Sequence, residues 1–106
     1  MEGKPLSEGT TAQFRWTESA TELAVSFPLG EDQGARSVQC DFRPRVLRVQ
    51  VGGGEVVEGE LRGKVTPDDC YWIIDDESGA RELKVVLTKT ILYDRWDGVF
   101  RKASKG

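Results

Sequence analysis

The sequence predicts an all-β fold, a seven-stranded antiparallel β-sandwich. The first indication is that apolar residues recur at every second position through most of the chain, which gives each segment one apolar and one polar face. The second is that short segments rich in Gly, Pro and Asp separate these alternating stretches at regular intervals. No stretch has a convincing 3.6-residue period, which argues against a helical or a parallel α/β fold.

Seven sets of alternating residues define the predicted strands. In chain order the sets are Phe14 and Trp16; Leu23, Val25 and Phe27; Val38, Cys40 and Phe42; Leu47, Val49 and Val51; Val57, Gly59 and Leu61; Cys70, Trp72 and Ile74; Leu83, Val85 and Leu87. The run Gly52-Gly53-Gly54 marks a tight hairpin turn, where positive φ angles favour glycine. The segment 90–100 is irregular, with room for one helical turn.

A chain of 106 residues predicts one domain with one hydrophobic core. Residues 1–12 are polar and rich in Gly, Ser and Thr, and they are expected to form a flexible leader. The ordered domain is expected to span residues 13–100, followed by a flexible tail over residues 101–106.

Composition disfavours several classes of function. The net charge of −3 makes nucleic-acid binding a poor expectation, because phosphate contacts need a positive surface. No apolar run approaches the ~20 residues of a membrane span, and no signal peptide is apparent, so a cytoplasmic location is expected, with a nuclear pool as a second option. Cys40 and Cys70 are expected to be reduced core thiols, with a disulfide as the alternative.

The sequence favours a non-enzymatic protein that needs no cofactor. The absence of histidine excludes a Ser-His-Asp triad, a Cys-His pair and a histidine metal site. The acidic clusters at Asp68-Asp69 and Asp75-Asp76-Glu77 could act as acid and base or hold Ca²⁺, but both fall in predicted turns, where aspartate commonly bonds its own backbone. A small enzyme or ligand-binding sandwich is therefore the least favoured hypothesis.

Six motifs in this order resemble those of the CS domain, and in particular its nuclear distribution C (NudC) branch. They are Trp16; Leu23-x-Val25-x-Phe27-Pro28; Val49-x-Val51-Gly52-Gly53 with Gly59-x-Leu61; Cys70-Tyr71-Trp72-Ile73-Ile74-Asp75; Leu83-x-Val85-x-Leu87-Thr88-Lys89; and Trp96. The resemblance covers about residues 13–100 and implies a seven-stranded sandwich similar to those of the small heat-shock proteins and of a co-chaperone of heat-shock protein 90.

The resemblance also implies a function. CS domains of this type are non-enzymatic and bind client proteins and chaperone machines, so heat-shock protein 90 and dynein-pathway proteins such as the lissencephaly proteins are the implied partners. NudC relatives carry further helical segments that dimerise them, and this chain shows none, so the domain itself is expected to be monomeric. The alternative hypothesis is an adaptor that docks one folded partner and has no chaperone activity.

The candidate partner-binding residues lie in and after the last strand. Lys89 has the parity of the core residues, so it is expected at the rim of the sandwich with its ammonium in water, either as a snorkelling residue or as a partner contact. Trp96 either packs back onto the sandwich or, beside Arg95, anchors a partner. Lys84 and Val86 have outward parity on the last strand.

Three other apolar residues share this outward parity, namely Tyr71, Ile73 and Ala24. If they lie beside Val86 on adjacent strands they form an interaction patch, but parity alone does not establish which strands are neighbours.

Overall fold

Two antiparallel sheets make up the described part of the protein. The computed structural model describes residues 4–54, 56–76 and 79–101, and these residues contain no α-helix. The strands are β1 (Ser7–Thr10), β2 (Arg15–Glu18), β3 (Glu22–Pro28), β4 (Val38–Arg43), β5 (Val46–Val51), β6 (Val56–Glu60), β7 (Tyr71–Asp75) and β8 (Glu82–Thr88). Single 3₁₀ turns at Ala35–Ser37 and Pro67–Asp69 precede β4 and β7.

The strands are ordered β1-β2-β3-β8-β7 in the five-stranded sheet and β4-β5-β6 in the three-stranded sheet. Every pair of neighbouring strands is antiparallel. The all-β antiparallel sandwich that the sequence predicts is therefore confirmed. None of the helical segments among the described residues is long and apolar enough to cross a bilayer.

The core lies between the two sheets and is built from the alternating residues. Leu23 and Val25 of β3 and Leu47 of β5 are fully buried and belong to the same hydrophobic cluster. Each such Leu or Val side chain contributes about 1.5–3 kcal/mol through burial. Trp16 and Trp72, which belong to the alternating sets of β2 and β7, are half-buried and pack against the core.

The described residues form eight strands rather than seven, because β1 lies within the segment that was expected to be a flexible leader. β1 pairs with β2 from Ser7 opposite Glu18 to Thr10 opposite Arg15. This strand carries no apolar residue, so alternation could not reveal it; backbone pairing holds it in place. Gly9 is required here because a Cβ at this position would overlap the Trp16 ring. Residues 102–106 of the predicted tail lie outside the described residues.

The segment that follows β8 folds back onto the sandwich, and Lys89 lies beneath it. The Lys89 side chain has no exposed surface, so the expected placement of its ammonium in water at the rim is wrong. Its Nζ lies 2.7 Å from the Glu18 carboxylate and also donates to the carbonyl oxygens of Ser19, at 2.8 Å, and Asp94, at 2.6 Å. The ammonium can be buried because all three of its donors have an acceptor.

Glu18, at the end of β2, is the acceptor that joins these parts. Besides Lys89, its carboxylate accepts from the Ser7 hydroxyl at 2.6 Å and from the backbone N–H groups of Trp96 at 2.7 Å and Asp97 at 3.0 Å. One side chain therefore ties together β1, β2, the residue after β8 and the C-terminal segment.

These contacts also determine the ionisation of Glu18. Burial by itself raises the pKa of this carboxyl, because a charge is costly away from water. The hydrogen bonds from Lys89, Ser7 and the two backbone N–H groups together outweigh burial and lower the pKa to about 2. Glu18 is therefore ionised throughout the physiological pH range.

Trp96 packs back into the core, which confirms one of the two placements considered for it. It is 4% exposed and belongs to the main hydrophobic cluster. Its indole lies directly on Gly63, where a Cβ would overlap the ring atoms, so only glycine allows this approach.

We predict that Gly63→Ala destabilises the fold by about 1–3 kcal/mol, because the added methyl group forces the Trp96 ring out of its site. Gly53→Ala is the matched control: a Cβ there meets nothing within 4 Å, so its effect should stay within about 0.5 kcal/mol. Urea unfolding of both variants measures the difference. Equal stabilities would show that the close packing of Trp96 on residue 63 is not important.

The pKa of Glu18 predicts a loss of stability in acid. A carboxyl whose pKa is lower in the folded state than its ordinary value of 4.5 stabilises the fold fully above that value, and the contribution disappears as the pH falls toward 2. The Glu18 contribution is about 3 kcal/mol on this basis. Urea unfolding from about pH 6 to about pH 2 should show this loss in the wild type and not in Glu18→Gln. A midpoint near 4.5 in an NMR titration of the Glu18 carboxyl carbon would contradict it.

A double-mutant cycle should show strong coupling within the pair. Glu18→Gln and Lys89→Met should each cost about 3–5 kcal/mol, because each leaves a buried group without its partner. The double variant should be at least about 1 kcal/mol more stable than the sum of the two losses predicts. Chemical denaturation of the four proteins measures this, and additive losses would argue against a direct interaction.

Candidate functional site

The outward-facing residues of three adjacent strands form a continuous patch on the five-stranded sheet. In the register of the sheet, Ala24 of β3, Val86 of β8 and Tyr71 of β7 lie side by side. The next row holds Ser26, Lys84 and Ile73. The adjacency that parity alone could not establish is thus present in the structure.

Exposure within this patch is uneven. Tyr71 is 48% exposed and Ile73 is 45% exposed, and both stand on the edge strand β7. Val86, which was expected to be available to a partner, is only 3% exposed because it lies in the middle of the row, between Ala24 and Tyr71. The accessible apolar surface of the patch is therefore supplied by β7.

Lys84 lies next to a polar part of the same face. It is half-buried and lines a cleft of about 150 Å³ with Arg15 and Glu82. The Arg15 guanidinium donates to both oxygens of the Glu82 carboxylate, at 2.7 and 2.8 Å. Glu82 is thereby paired with Arg15, and Lys84 lies beside Ile73 in a cleft that Asp75 also lines.

A second apolar feature lies just beyond β8, and the sequence reasoning did not single it out. Ile91, Leu92 and Tyr93 are consecutive and are 57%, 53% and 77% exposed. Three consecutive exposed apolar residues are unfavourable in water, so such a triplet indicates an interaction site. In the sequence these residues form an apolar triplet within the segment 90–100, which has no periodicity. Trp96 of the same segment is buried, so an apolar residue there does not by itself indicate exposure.

The 91–93 loop is held in a defined conformation. The Tyr93 N–H donates to the Ala20 carbonyl at 2.8 Å, and the Thr90 N–H donates to the Lys64 carbonyl at 2.9 Å. The carbonyl of Asp94 accepts from the buried ammonium of Lys89. Tyr93 has a φ of 67°, a conformation that a bulky residue adopts only when its surroundings enforce it. The exposure of this loop is therefore built into the fold.

The loop and Tyr71 of β7 lie toward the same end of the five-stranded sheet. β7 runs antiparallel to β8, so Tyr71, its first residue, lies opposite Val86 and only two residues before the end of β8. We use the name apolar surface for five exposed residues of β7 and of this loop: Tyr71, Ile73, Ile91, Leu92 and Tyr93.

The other predicted site residues are placed differently. Lys89 and Trp96 are buried and present no side chain to a partner. The Arg95 side chain is 59% exposed and is fixed by bonds to the Asp97 carboxylate at 2.8 Å and to the Leu6 carbonyl at 2.9 Å. Arg95 lines an open cleft of about 410 Å³ together with Arg62 and Arg101. Among the five candidates, only Lys84 and Arg95 keep an accessible polar group.

The two cysteine thiols lie in surroundings that suppress their reactivity. Burial raises the pKa of Cys40 to about 11 and also raises the pKa of Cys70, so both thiols are protonated at neutral pH. Both cysteines are free. Within the described ranges, no group of three or more His, Cys, Asp or Glu side chains is placed to hold a metal ion.

Comparison with known proteins agrees with this architecture. The CS domain family matches residues 12–89. Protein BOBBER 1 of Arabidopsis thaliana is 33% identical over 84 residues, which are 78% of this chain and 27% of that protein. Human NudC domain-containing protein 2 is 26% identical over 76 residues, which are 72% of this chain and 46% of that protein. The chain thus spans between about a quarter and a half of these relatives.

Two solved structures share the fold. The nuclear movement protein from E. cuniculi GB-M1 superimposes with a TM-score of 0.71 at 21% identity, covering 85% of this chain and all of that one. The CS domain of the human KIAA1068 protein superimposes with a TM-score of 0.74 at 17% identity, covering 96% and 83%. The family match over most of the sandwich, together with this shared architecture, shows that the chain belongs to the CS domain family and has NudC-type proteins among its relatives.

Proposed function

We propose that this domain is a non-enzymatic protein-binding module of the co-chaperone type and that it binds client proteins through the apolar surface. CS domains are protein-interaction folds. The observation that carries the proposal is the exposure of five large apolar side chains, two on β7 and three on the loop after β8, where Lys89 donates to the Asp94 carbonyl. Such a patch loses contact with water when a partner covers it, which favours association.

The charges around this surface set it apart from a general hydrophobic patch. Lys84 stands beside Ile73 on the face, and the chain as a whole is acidic, with a net charge of −3. Like-charge repulsion at a mildly negative net charge disfavours self-association of the module. An apolar centre with a charged rim is also the usual composition of a protein interface.

The same surface supports a second candidate function, an adaptor that docks one folded partner. The backbone of the 91–93 loop is fixed by three hydrogen bonds, those of Tyr93, Thr90 and Asp94 described above. A rigid loop loses little entropy on binding a matching pocket, which suits a folded partner better than an unfolded client. Heat-shock protein 90 and dynein-pathway proteins remain the proposed partners, and the cytoplasm the proposed location, on the strength of the motif resemblance.

We predict that the domain suppresses aggregation of a heated model client and that truncating the apolar surface reduces this. The pairs Tyr71→Ser with Ile73→Ser and Leu92→Ser with Tyr93→Ser should each weaken suppression at least about fivefold, since loss of an interface anchor costs more than ~1 kcal/mol. Light scattering at a series of domain concentrations measures this.

Val56→Ser is the matched control, because Val56 is also an exposed apolar residue, at 37%, but lies on β6 of the opposite sheet. It should suppress aggregation like the wild type. Capture of a single folded partner from native extract, with no suppression of aggregation, would favour the adaptor. If the wild type shows neither property, or if all variants match it, the proposed function is wrong.

A further inference from the structure

β7 is an edge strand whose open side is less protected than the other sheet edges. β1 is short and entirely polar, and polar or charged residues alternate along β4. β6 carries Glu58 and Glu60, and the N–H of Arg101 donates to the Glu60 carbonyl. β7 contains no Lys, Pro or Gly, and Tyr71 and Ile73 extend its exposed apolar face. Proteins normally guard such edges against further strand pairing.

The register shows which groups of β7 face the open side. In antiparallel sheets, successive residues direct their N–H and C=O alternately to the two neighbouring strands. The N–H of Leu29 donates to the carbonyl of Arg81 at 3.0 Å, so the odd-numbered residues of β8 face β3 and the even-numbered ones face β7. Because each β7 residue shares its orientation with its β8 partner, Trp72 and Ile74 direct their N–H and C=O away from β8.

These groups have no backbone partner among the described residues. Apart from the β8 ladder, the segment from Tyr71 to Ile74 makes no backbone hydrogen bond with residues 4–54, 56–76 or 79–101. The Trp72 and Ile74 side chains are half-buried on the inner face, so the strand is held firmly while its edge stays open. Two N–H and two C=O groups are thus arranged to pair with one more strand.

Exposed carboxylates stand at both ends of this edge. Asp68 and Asp69 precede β7 with only Cys70 between them and the strand, and Asp76 follows it directly. A segment lying along the edge would therefore have each of its own ends close to negative charge. This arrangement favours a ligand with basic residues on both sides of its central part.

We propose that the β7 edge binds an extended peptide segment as an additional antiparallel strand of the five-stranded sheet, with apolar residues at alternate positions and Lys or Arg at both ends. Main-chain bonds to Trp72 and Ile74 supply affinity, and apolar side chains beside Tyr71 and Ile73 supply selectivity. This inference rests on the proposed protein-binding function and specifies the form of the bound segment.

The test uses the fluorescent peptide Lys-Lys-Val-Thr-Val-Thr-Val-Lys-Lys and fluorescence anisotropy. Its valines match the outer face beside Tyr71 and Ile73, so its threonines fall opposite Trp72 and Ile74 and must supply the main-chain bonds. N-methylation of both threonines should weaken binding roughly tenfold or more, whereas N-methylation of two valines should change it less than about threefold. Replacing Asp68 and Asp69 by Asn should weaken binding roughly threefold at low salt.

A matched pair of protein variants tests the β7 side of the same main-chain hydrogen bonds. Ile74→Pro removes an N–H that faces the open edge and leaves the β8 ladder complete, whereas Ile74→Ala removes a similar part of the side chain and keeps that N–H. The Pro variant should lose roughly tenfold in peptide affinity relative to the Ala variant. If circular dichroism shows that the Pro variant does not fold, the methylated peptides decide the question.

The outcomes separate this inference from the proposed function. Equal binding of the two methylated peptides, or no binding of the unmodified peptide, overturns the edge-pairing proposal. If the domain still suppresses aggregation of clients in that case, the protein-binding function stands, and the apolar surface alone is responsible for it. If the methylation pattern is as expected but no client or partner is bound, pairing at the edge stands and the proposed function fails.

Discussion

The buried ion pair between Glu18 and Lys89 is the interaction on which the rest of the architecture depends. A lone charge in this position would be very costly, and even a paired one is tolerated only when its remaining hydrogen-bonding groups are satisfied. Here the carboxylate has four donors and the ammonium three acceptors. Those partners come from β1, β2 and the segment after β8, so the pair closes one end of the sandwich and gives the C-terminal segment a single position.

This closure explains how a small domain can present apolar side chains to solvent without their folding inward. Trp96 fills the core beside Gly63, and the backbone of the 91–93 loop is bonded to Ala20 and Lys64, so the exposed triplet has no inward site left to occupy. The strained backbone of Tyr93 fits this description, since strain persists only where surrounding contacts determine it. The proposed interaction surface is thus a consequence of what lies beneath it.

The two proposed modes of binding use different properties of the same sheet. The face offers exposed side chains, which can accept many partners because apolar contact has little directional requirement. The β7 edge offers main-chain groups at Trp72 and Ile74, which require an extended partner but tolerate variation in its sequence. Together they suit a module that meets partly unfolded chains, in which extended apolar segments are accessible.

The sequence by itself determined the class of fold, because alternation with period two is a local property and each strand displays it independently, as in Leu23-Val25-Phe27 and Leu83-Val85-Leu87. It did not reveal β1, which pairs through its backbone, and it misplaced Lys89 because the carboxylate that permits burial lies 71 residues earlier in the chain. A clue was present, since Glu18 follows Trp16 on the inward face just as Lys89 follows Leu87. Only the tertiary structure decided that these two opposite charges meet, that Val86 is covered by its neighbours and that the 91–93 loop is exposed. The reason is that burial, and pairing between distant segments, depend on strand order and register. A local sequence pattern does not specify either of them.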